Sequence, residues 1–480
     1  MAEAAPLLPF MHSLIFVLLL FTTDTIVNCS QEKKQLDLLK FLHTEQQTHN
    51  QRCWPRKPRS ENGVSMLEMK HHGFCSGTNR NWDDEYQKRL IADDLRVKSL
   101  QLRMKNAASG LLEDLSEAQI PLTSGKQLQI LNYVVAVELG GKKMTVIVDT
   151  GSELTWVQCE PCKSCYTQED PLFNPATSPS YRPILCNSST CGTLEFATGN
   201  SGVCGTDGSA CNYIVSYGDG SHTSGELGSD SLNFGGTVVK NFIFGCGQSN
   251  QGLFGGAAGL IGLGRSQLSL VAQTSWQFGG VFSYCLPSTE DYGASGSLIL
   301  GDNSSVYRNT TPISFTRMVP NPQLPTLYSV NLTGISIGGV PLQASAFSSG
   351  SGLLIDSGTV ITRLAPSTYT ALRDEFLKQF SRYPSAPAFS ILDTCFDLSK
   401  YKEANTPILK FHFEGGVEVN VDIAGVFYFV RRDQACLAIA SLSSEDEIGI
   451  IGNYQQKNLR VVYDSKESRL GFGQETCSYV

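Results

Sequence analysis

Two stretches of this chain share one pattern of apolar and polar positions. Val146–Val148 is a β-branched apolar run that ends in Asp149, and Leu353–Ile355 is an apolar run that ends in Asp356. Each aspartate is followed by a hydroxyl residue and a glycine, an order typical of a tight turn after a buried strand. The pattern predicts two strands that each deliver a carboxylate to a fixed place.

The repeat extends to both sides of each aspartate. Upstream, apolar stretches over 133–139 and 328–337 each lead into a Gly-Gly pair, which predicts a strand and a hairpin turn. Downstream, apolar residues closed by glycine follow at Gly259–Gly264 and at Ile448–Gly452. The chain is therefore predicted to contain two related β-rich lobes.

Helical periodicity is scarce outside this repeat. The best helical pattern covers Ser367–Phe380, and a weaker one covers Ser266–Phe278. A third covers Asn81–Met104, with Asn81 as the candidate cap. The apolar residues at helical spacing in this third pattern are Tyr86, Leu90, Ile91 and Leu95. The predicted architecture is mostly β.

Charge divides the chain into a basic leader and an acidic body. Residues 31–110 contain 15 Lys and Arg against 10 Asp and Glu, whereas the whole chain has a formal net charge of −8. A basic, partly helical leader before an acidic body predicts a removable propeptide, and the alternative is a solvated basic linker. The 480 residues, 41% of them hydrophobic, suffice for a large core.

The amino terminus carries a short apolar run, Leu14–Phe21, which predicts a secretory signal peptide. A chloroplast transit peptide fits less well, because acids occur at Glu3 and Asp24 and the first arginine is Arg52. We expect a signal peptide over 1–29, a propeptide over 30–120, an N-terminal lobe over 121–310 and a C-terminal lobe over 311–480. The mature protein is expected to be a monomer without a membrane anchor, outside the cell or in the vacuole.

Two further motifs indicate the family that this chain resembles. Trp156 stands seven residues after Asp149, and Tyr217-Gly218-Asp219-Gly220 has the order of a flap hairpin. From about Leu128 to the end, the chain resembles the bilobal pepsin family of aspartic proteases. The acid at 219 and the cysteine-rich insert make it similar to the plant nepenthesin group, which includes the chloroplast-nucleoid type of protease.

The resemblance implies an aspartic endopeptidase that is most active in acid. Asp149 and Asp356 would share one proton and activate a water against a peptide bond. The flap over the substrate would comprise Tyr217, Gly218 and Asp219. Active-site support would come from Thr150, Gly151, Ser152, Trp156, Ser357, Gly358 and Thr359. The alternative for the hydroxyl residues is ordinary turn chemistry.

Twelve cysteines follow residue 80, an even number that favours disulfides behind a signal sequence. A cluster or zinc site at Cys159-x-x-Cys162-x-x-Cys165 is the alternative, disfavoured because it needs reduced thiolates and leaves the other nine cysteines without a role. The nepenthesin resemblance implies the pairs Cys159–Cys162, Cys165–Cys246, Cys186–Cys211, Cys191–Cys204, Cys285–Cys477 and Cys395–Cys436. Candidate glycosylation sites are Asn187, Asn303, Asn309 and Asn331.

Other function classes find little support. Only His222 and His412 follow the leader, neither lies in a serine-hydrolase signature, and no His-Glu-x-x-His is present, so we expect no metal and no cofactor. The body has no basic patch, so no nucleic-acid partner is expected. Expected partners are polypeptide substrates and the chain's own propeptide as an intramolecular inhibitor. The alternative function is a non-catalytic binding protein on the same fold, similar to plant xylanase inhibitors.

Overall fold

The structure is a computed structural model that describes residues 32–38, 55–71, 82–109, 133–205, 208–217, 220–252, 254–288, 295–343, 352–431 and 433–479. The predicted signal peptide and the predicted end of the propeptide lie outside these residues. Gly218 and Asp219 of the predicted flap also lie outside them.

The described residues form strands that we number in chain order. The leader contributes β1 (Lys33–Asp37), β2 (Arg59–Glu61) and β3 (Val64–His71). The first half of the body contributes β4 (Tyr133–Leu139), β5 (Lys142–Asp149), β6 (Trp156–Gln158), β7 (Arg182–Pro183), β8 (Val203–Cys204), β9 (Cys211–Ser216), β10 (His222–Asn233), β11 (Val238–Gln251), β12 (Gly259–Gly262), β13 (Val281–Cys285) and β14 (Gly296–Leu300). The second half contributes β15 (Ser314–Arg317), β16 (Ser329–Val330), β17 (Leu332–Ile337), β18 (Val340–Pro341), β19 (Leu353–Ile355), β20 (Thr362–Leu364), β21 (Ser385–Ala386), β22 (Cys395–Asp397), β23 (Glu403–Pro407), β24 (Leu409–Phe413), β25 (Val417–Asn420), β26 (Phe427–Phe429), β27 (Gln434–Leu437), β28 (Ile439–Ser441), β29 (Ile450–Ile451), β30 (Leu459–Asp464) and β31 (Arg469–Gln474).

Helices are few, as the sequence predicts. The described residues form α1 (Trp82–Ser109), α2 (Ser189–Gly192), α3 (Leu194–Thr198), α4 (Leu270–Gln273), α5 (Ser275–Phe278) and α6 (Pro366–Phe380). The best predicted helix, Ser367–Phe380, corresponds to α6. The weaker predicted helix, Ser266–Phe278, is split into α4 and α5. Within the described ranges, no helix is both long enough and apolar enough to span a membrane.

The leader helix α1 is present, but its buried face differs from the predicted one. Leu90 is fully buried, whereas Ile91 is 47% exposed. The buried side also carries polar residues, which periodicity of apolar residues alone does not detect. Its buried members are Arg89, Leu90, Asp93, Val97, Leu100, Gln101 and Met104.

The two lobes repeat one arrangement around the aspartates. In the first lobe, β5 pairs in parallel with β12, with Asp149 opposite Gly262. In the second, β19 pairs in parallel with β29, with Ile355 opposite Ile451. The glycine-closed apolar pairs of the sequence are therefore the neighbours of the aspartate-bearing strands, which confirms the predicted repeat.

Both predicted Gly-Gly turns are also present. Gly140 and Gly141 have φ of +53° and +75°, and Gly338 and Gly339 have φ of +53° and +83°. Glycine adopts this left-handed backbone without steric cost, and two such residues in succession make the tight turn of a hairpin. These turns fix the register of β4 on β5 and of β17 on β18.

The leader is built into the sheets of the body. The largest sheet runs β15-β31-β30-β13-β14-β3-β4-β5-β12-β6-β11-β10-β9-β8, so the leader strand β3 joins β14 to β4. Met69 lies opposite Gly296, and His71 lies opposite Tyr133. The first leader strand, β1, pairs antiparallel with β23 of the second lobe. The described part of the leader therefore contacts the body through strands as well as through the helix.

Six disulfides close the described part of the chain, and two have the partners that the resemblance implies: Cys285–Cys477 and Cys395–Cys436. The other four implied pairs are wrong. The structure has Cys159–Cys246, Cys162–Cys165, Cys186–Cys204 and Cys191–Cys211 instead. The pairing of strands explains the Cys159–Cys246 bridge. Strand β6 runs beside β11, and the Cα atoms of Cys159 and Cys246 lie 5.3 Å apart.

A buried ion pair stabilises the sheet between the lobes. Arg460 of β30 donates to both oxygens of Glu475, at 2.8 and 2.6 Å, and to Ser297 Oγ at 2.8 Å. The two charged side chains are 1% and 0% exposed. Neither charge has access to water if its partner is lost.

We expect Glu475→Gln to lower the free energy of unfolding by about 3–5 kcal/mol, because it leaves the buried Arg460 charge uncompensated. The matched control is Glu414→Gln, since Glu414 pairs with Arg317 at a surface where the side chains are 37% and 65% exposed. The control should change stability by about 1 kcal/mol or less. Denaturant titration of both variants checks this, and equal losses would contradict it.

Candidate active site

The two Asp-hydroxyl-Gly loops meet face to face. Asp149 follows β5 and Asp356 follows β19, and each carboxylate accepts a backbone N–H from the glycine two residues on, Gly151 or Gly358, at 2.9 Å. Each is also held by the hydroxyl three residues on. Thr359 Oγ1 donates to Asp356 at 2.6 Å, and Ser152 Oγ donates to Asp149.

Thr150 and Ser357 lock the two loops to each other. The Thr150 N–H donates to Ser357 Oγ at 3.1 Å, and the Ser357 N–H donates to Thr150 Oγ1 at 2.9 Å. Both residues are buried, at 1% and 2% exposure. This reciprocal pair fixes the distance between the strands that carry the acids.

The glycines of the loops make room for the opposite carboxylate. A Cβ atom at Gly151 would lie 2.8 Å from Asp356 Oδ1, and one at Gly358 would lie 2.3 Å from Asp149 Oδ1. Both distances are shorter than a van der Waals contact. Because both positions are glycine, each loop leaves space for the carboxylate of the opposite loop. The two carboxylates can therefore share one site, and both loops are needed to form it.

The predicted flap lies in the hairpin of β9 and β10, with Ser216 opposite His222. At its tip, the hydroxyl of Tyr217 accepts a hydrogen bond from Trp156 Nε1 at 2.8 Å. Phe254 packs edge-on against both rings. Trp156 is fully buried, so it positions the tyrosine from the body of the first lobe.

A leader arginine lies between the two aspartates. Arg96 of α1 donates to Asp149 through Nη2 at 2.8 Å and Nη1 at 3.1 Å. It donates to Asp356 through Nη2 at 3.0 Å and Nε at 3.2 Å. One guanidinium thus pairs with both carboxylates, and the leader helix occupies the cleft.

Two other polar side chains of α1 bind the backbone of the second lobe. Asp93 accepts from the N–H of Val360 at 2.6 Å and of Ile361 at 3.2 Å, and it pairs with Arg363 at 3.1 Å. Gln101 donates to the carbonyl of Ile448 at 2.7 Å and accepts its N–H at 3.0 Å. These residues hold the helix on both sides of Arg96.

The electrostatics of the site depend on this arginine. Burial and the nearby charge of Asp356 raise the pKa of Asp149, against the opposing effect of Arg96. Burial also acts to raise the pKa of Asp356, but Arg96, Thr359 and the Gly358 N–H outweigh it and the pKa lies below its ordinary value. The two acids therefore lie in different environments, and Asp149 has a higher affinity for a proton than Asp356.

A cavity of about 40 Å³ remains between the leader helix and the flap. Arg103 of α1 lines it opposite Glu153 and Tyr217. Glu153 is 4% exposed and accepts the Ser266 N–H at 2.7 Å. Among the described residues, no group of three or more His, Cys, Asp and Glu side chains is placed to hold a metal ion.

The structure brings together both predicted acids, the predicted support residues and Tyr217. It adds four residues that the sequence analysis did not single out: Arg96, Asp93, Gln101 and Glu153. Arg96 had a detectable signal, because it lies in a helical pattern between the apolar positions Leu90 and Leu100. The pattern does not tell an inward arginine from an exposed one.

Two family models match this chain: the N-terminal half of the xylanase inhibitor family over residues 133–302 and its C-terminal half over residues 327–474. An Arabidopsis thaliana protein described as an aspartyl protease family protein is 41% identical over 88% of this chain and 89% of its own length. Nepenthesin-1 of Nepenthes gracilis, an aspartic proteinase, is 34% identical over 90% of this chain and 94% of its own length. The crystal structure of basic 7S globulin from soybean has the same fold, with a TM-score of 0.58 and 20% identity over 72% of this chain and 95% of that one.

Proposed function

This chain belongs to the pepsin-like aspartic protease family of the xylanase-inhibitor type, and on that premise we propose that it is an aspartic endopeptidase made as a zymogen. The observation that carries the proposal is the single guanidinium of Arg96 on both loop aspartates. A leader arginine on both acids is what we expect if those acids are the reactive groups and are held inactive in the precursor.

The chemistry follows from two carboxylates that share one proton. The ionised carboxylate takes a proton from a water, and the water oxygen attacks the peptide carbonyl. The protonated carboxylate donates to the carbonyl oxygen, which gives a tetrahedral intermediate without a covalent bond to the enzyme. When the C–N bond breaks, the amine takes up the proton that the first carboxylate took from water, and the second carboxylate takes a proton back from a hydroxyl of the intermediate, which leaves a carboxylic acid and restores the acid pair. Asp149 and Asp356 are the proposed catalytic residues.

The positions of the other predicted residues support this assignment. Ser152 and Thr359 donate to the acids, and Thr150 and Ser357 hold the two loops together. Gly151 and Gly358 leave space for the opposite carboxylate. We propose that Tyr217, held by Trp156, closes over a polypeptide substrate once α1 has left the cleft.

A second candidate function is a non-catalytic binding protein on the same fold. The observation that favours it is that both matching family models are described as halves of xylanase inhibitors. Intact acid loops favour the enzyme, because a binding protein needs neither acid. Incubation of the acid-treated protein with an unfolded protein substrate, with and without pepstatin, distinguishes the two; absence of pepstatin-sensitive cleavage supports the binding protein.

We expect the activity of the processed protein to peak in acid and to fade toward neutrality, because the shared proton leaves the acid pair as the pH rises through its upper apparent pKa. The measurement is kcat/KM for a peptide substrate across a pH series. An optimum at about pH 8 or above would contradict a proton shared by two carboxylates.

We propose that the precursor enters the secretory pathway through a signal peptide over 1–29 and carries its propeptide over 30–120. The lobes would cover 121–310 and 311–480, and the protein would act as a monomer outside the cell or in the vacuole. Six disulfides are consistent with an oxidising compartment.

The four candidate glycosylation sites differ in accessibility. Asn187 and Asn309 are exposed. The amide of Asn303 donates to the Asn62 carbonyl at 2.9 Å, and that of Asn331 donates to Glu414 at 3.4 Å. We therefore propose that Asn187 and Asn309 carry glycans, in preference to Asn303 and Asn331.

A further inference from the structure

Among the described residues, one strand pairing between the leader and the second lobe lies outside the catalytic cleft. Strands β1 and β23 form a two-stranded antiparallel sheet, with Leu36 opposite Ala404 and Lys34 opposite Thr406. In the part of the chain that the structure describes, β1 is the only strand that pairs with β23. Departure of the leader would leave this strand of the second lobe without a strand partner.

Backbone hydrogen bonds continue the pairing beyond both ends of β1. The Leu38 N–H donates to the Lys402 carbonyl at 2.9 Å, and the Ile408 N–H donates to the Glu32 carbonyl at 3.1 Å. The Glu32 N–H donates to the Gly338 carbonyl at 3.2 Å. The segment 32–38 is thus bound along its length, with β1 extended over Lys33–Asp37 and Leu38 in a helical position directly after it.

Side chains add selectivity to this backbone pairing. Leu36 and Leu38 are 2% and 5% exposed, and they belong to the apolar cluster that also contains Phe380, Tyr383 and Leu398. Leu36 is buried from within β1, and Leu38 is buried directly after the strand ends.

Two polar side chains of the segment meet acidic residues. Lys34 pairs with Asp422 at 3.4 Å, and Gln35 donates to Glu403. The far edge of β23 is already engaged, because the Asn405 N–H donates to the Tyr383 hydroxyl at 2.7 Å. The edge that faces β1 is the one that a new peptide would use.

We propose that β23 and its surroundings form a peptide-binding site separate from the catalytic cleft. Its ligand is an extended segment of a polypeptide substrate, with two leucines at alternate positions after basic residues. The segment adds a strand to the lobe, as peptides do in other strand-addition complexes. The role in substrate capture rests on the proposed function, whereas the site itself does not.

The first test measures binding without any proteolysis. In the full-length precursor, Leu36→Asp with Leu38→Asp should expel β1 and open the site. A fluorescent peptide of residues 32–38 should then bind saturably, and its copy with both leucines as serine should bind at least about tenfold more weakly, a loss of about 1.4 kcal/mol. Wild-type precursor, with β1 in place, should not bind the peptide.

A second variant identifies the location of the site. Adding Ala404→Arg to the opened precursor places a large side chain opposite Leu36 and should abolish peptide binding. The acid-processed wild-type protein should bind the peptide without any substitution, which covers the case of a poorly folding double variant. Equal binding of the leucine and serine peptides, or none to either open form, would overturn the proposal.

The functional test compares two substrates with one cleavable sequence and a distant segment of either residues 32–38 or its serine copy. The leucine form should have a KM at least about threefold lower with kcat unchanged, because the segment adds binding outside the cleft. Equal KM values, or a leader segment that stays bound to the processed protein in mass spectra, would overturn the substrate role. If neither substrate is cleaved, the proposed function fails, and the peptide titration still decides whether the site exists.

Discussion

Arg96→Met should make the full-length precursor shorten itself at a less acidic pH than wild type, and at least about tenfold faster at a pH where both are processed. The variant removes the shared partner of two buried carboxylates, and loss of one member of a buried pair costs about 3–5 kcal/mol. Part of this cost is recovered because the acids can then share a proton, so we expect a smaller net effect on docking of the leader. Time courses of precursor length by mass spectrometry measure it.

The matched control for this experiment is Lys98→Met, two residues away on the same helix. Lys98 is 60% exposed and pairs with Asp94, one turn earlier, at 2.8 Å. Pairs of this kind contribute about 0.3–0.5 kcal/mol, so processing should hardly change. The new amino terminus is expected between Ser109 and Gln127. If the Arg96→Met and wild-type precursors are processed with the same pH dependence, Arg96 does not keep the leader docked.

The pKa directions indicate which contact responds to acid. In the docked precursor the pKa of Asp356 lies below its ordinary value of 3.8. Its contact with Arg96 therefore stabilises docking fully above that value and loses its contribution as the pH falls through the lowered pKa. Asp93 has the opposite sign, because burial raises its pKa despite Arg363, so protonation of Asp93 does not favour release. Burial also raises the pKa of Asp149, so by the same sign the release in acid should come from protonation of Asp356.

Asp149→Asn or Asp356→Asn should lower kcat/KM by at least about a thousandfold, because each change removes one of the two groups that exchange protons with water and substrate. Asparagine keeps the side-chain volume, and the loop N–H and hydroxyl donors still have an oxygen to bond. We therefore expect a folded protein, checked by circular dichroism, that turns over no peptide. Its precursor should also stay long in acid.

A buried aspartate outside the cleft provides the control. Asp230 is fully buried and accepts hydrogen bonds from Ser178 and Ser180. Asp230→Asn should leave kcat/KM of the processed protein within about twofold of wild type, since effects at distant independent sites do not couple. Full turnover by Asp149→Asn or Asp356→Asn would remove these residues from the mechanism.

Local pattern in the sequence was enough to find the repeated strands, their Gly-Gly turns, helix α6 and the two acids. Each of these features is specified within some ten residues, by alternation or helical period and by the conformational needs of glycine. The sequence also indicated the strands that pair with the aspartate-bearing strands, because the same order of apolar residues and glycine follows both aspartates. The expectation that the two acids share a site came from the family resemblance and not from periodicity.

Contacts between distant segments were decided only by the tertiary structure. Arg96 lies 53 residues from Asp149 and 260 from Asp356, and nothing in its own helix states which side chain it meets. The exchange of partners among Cys159, Cys162, Cys165 and Cys246 has the same cause, as has the pairing of β1 with β23. In each case several partners are chemically equivalent. The packing of whole strands and helices selects one, because it alone sets which backbones run side by side.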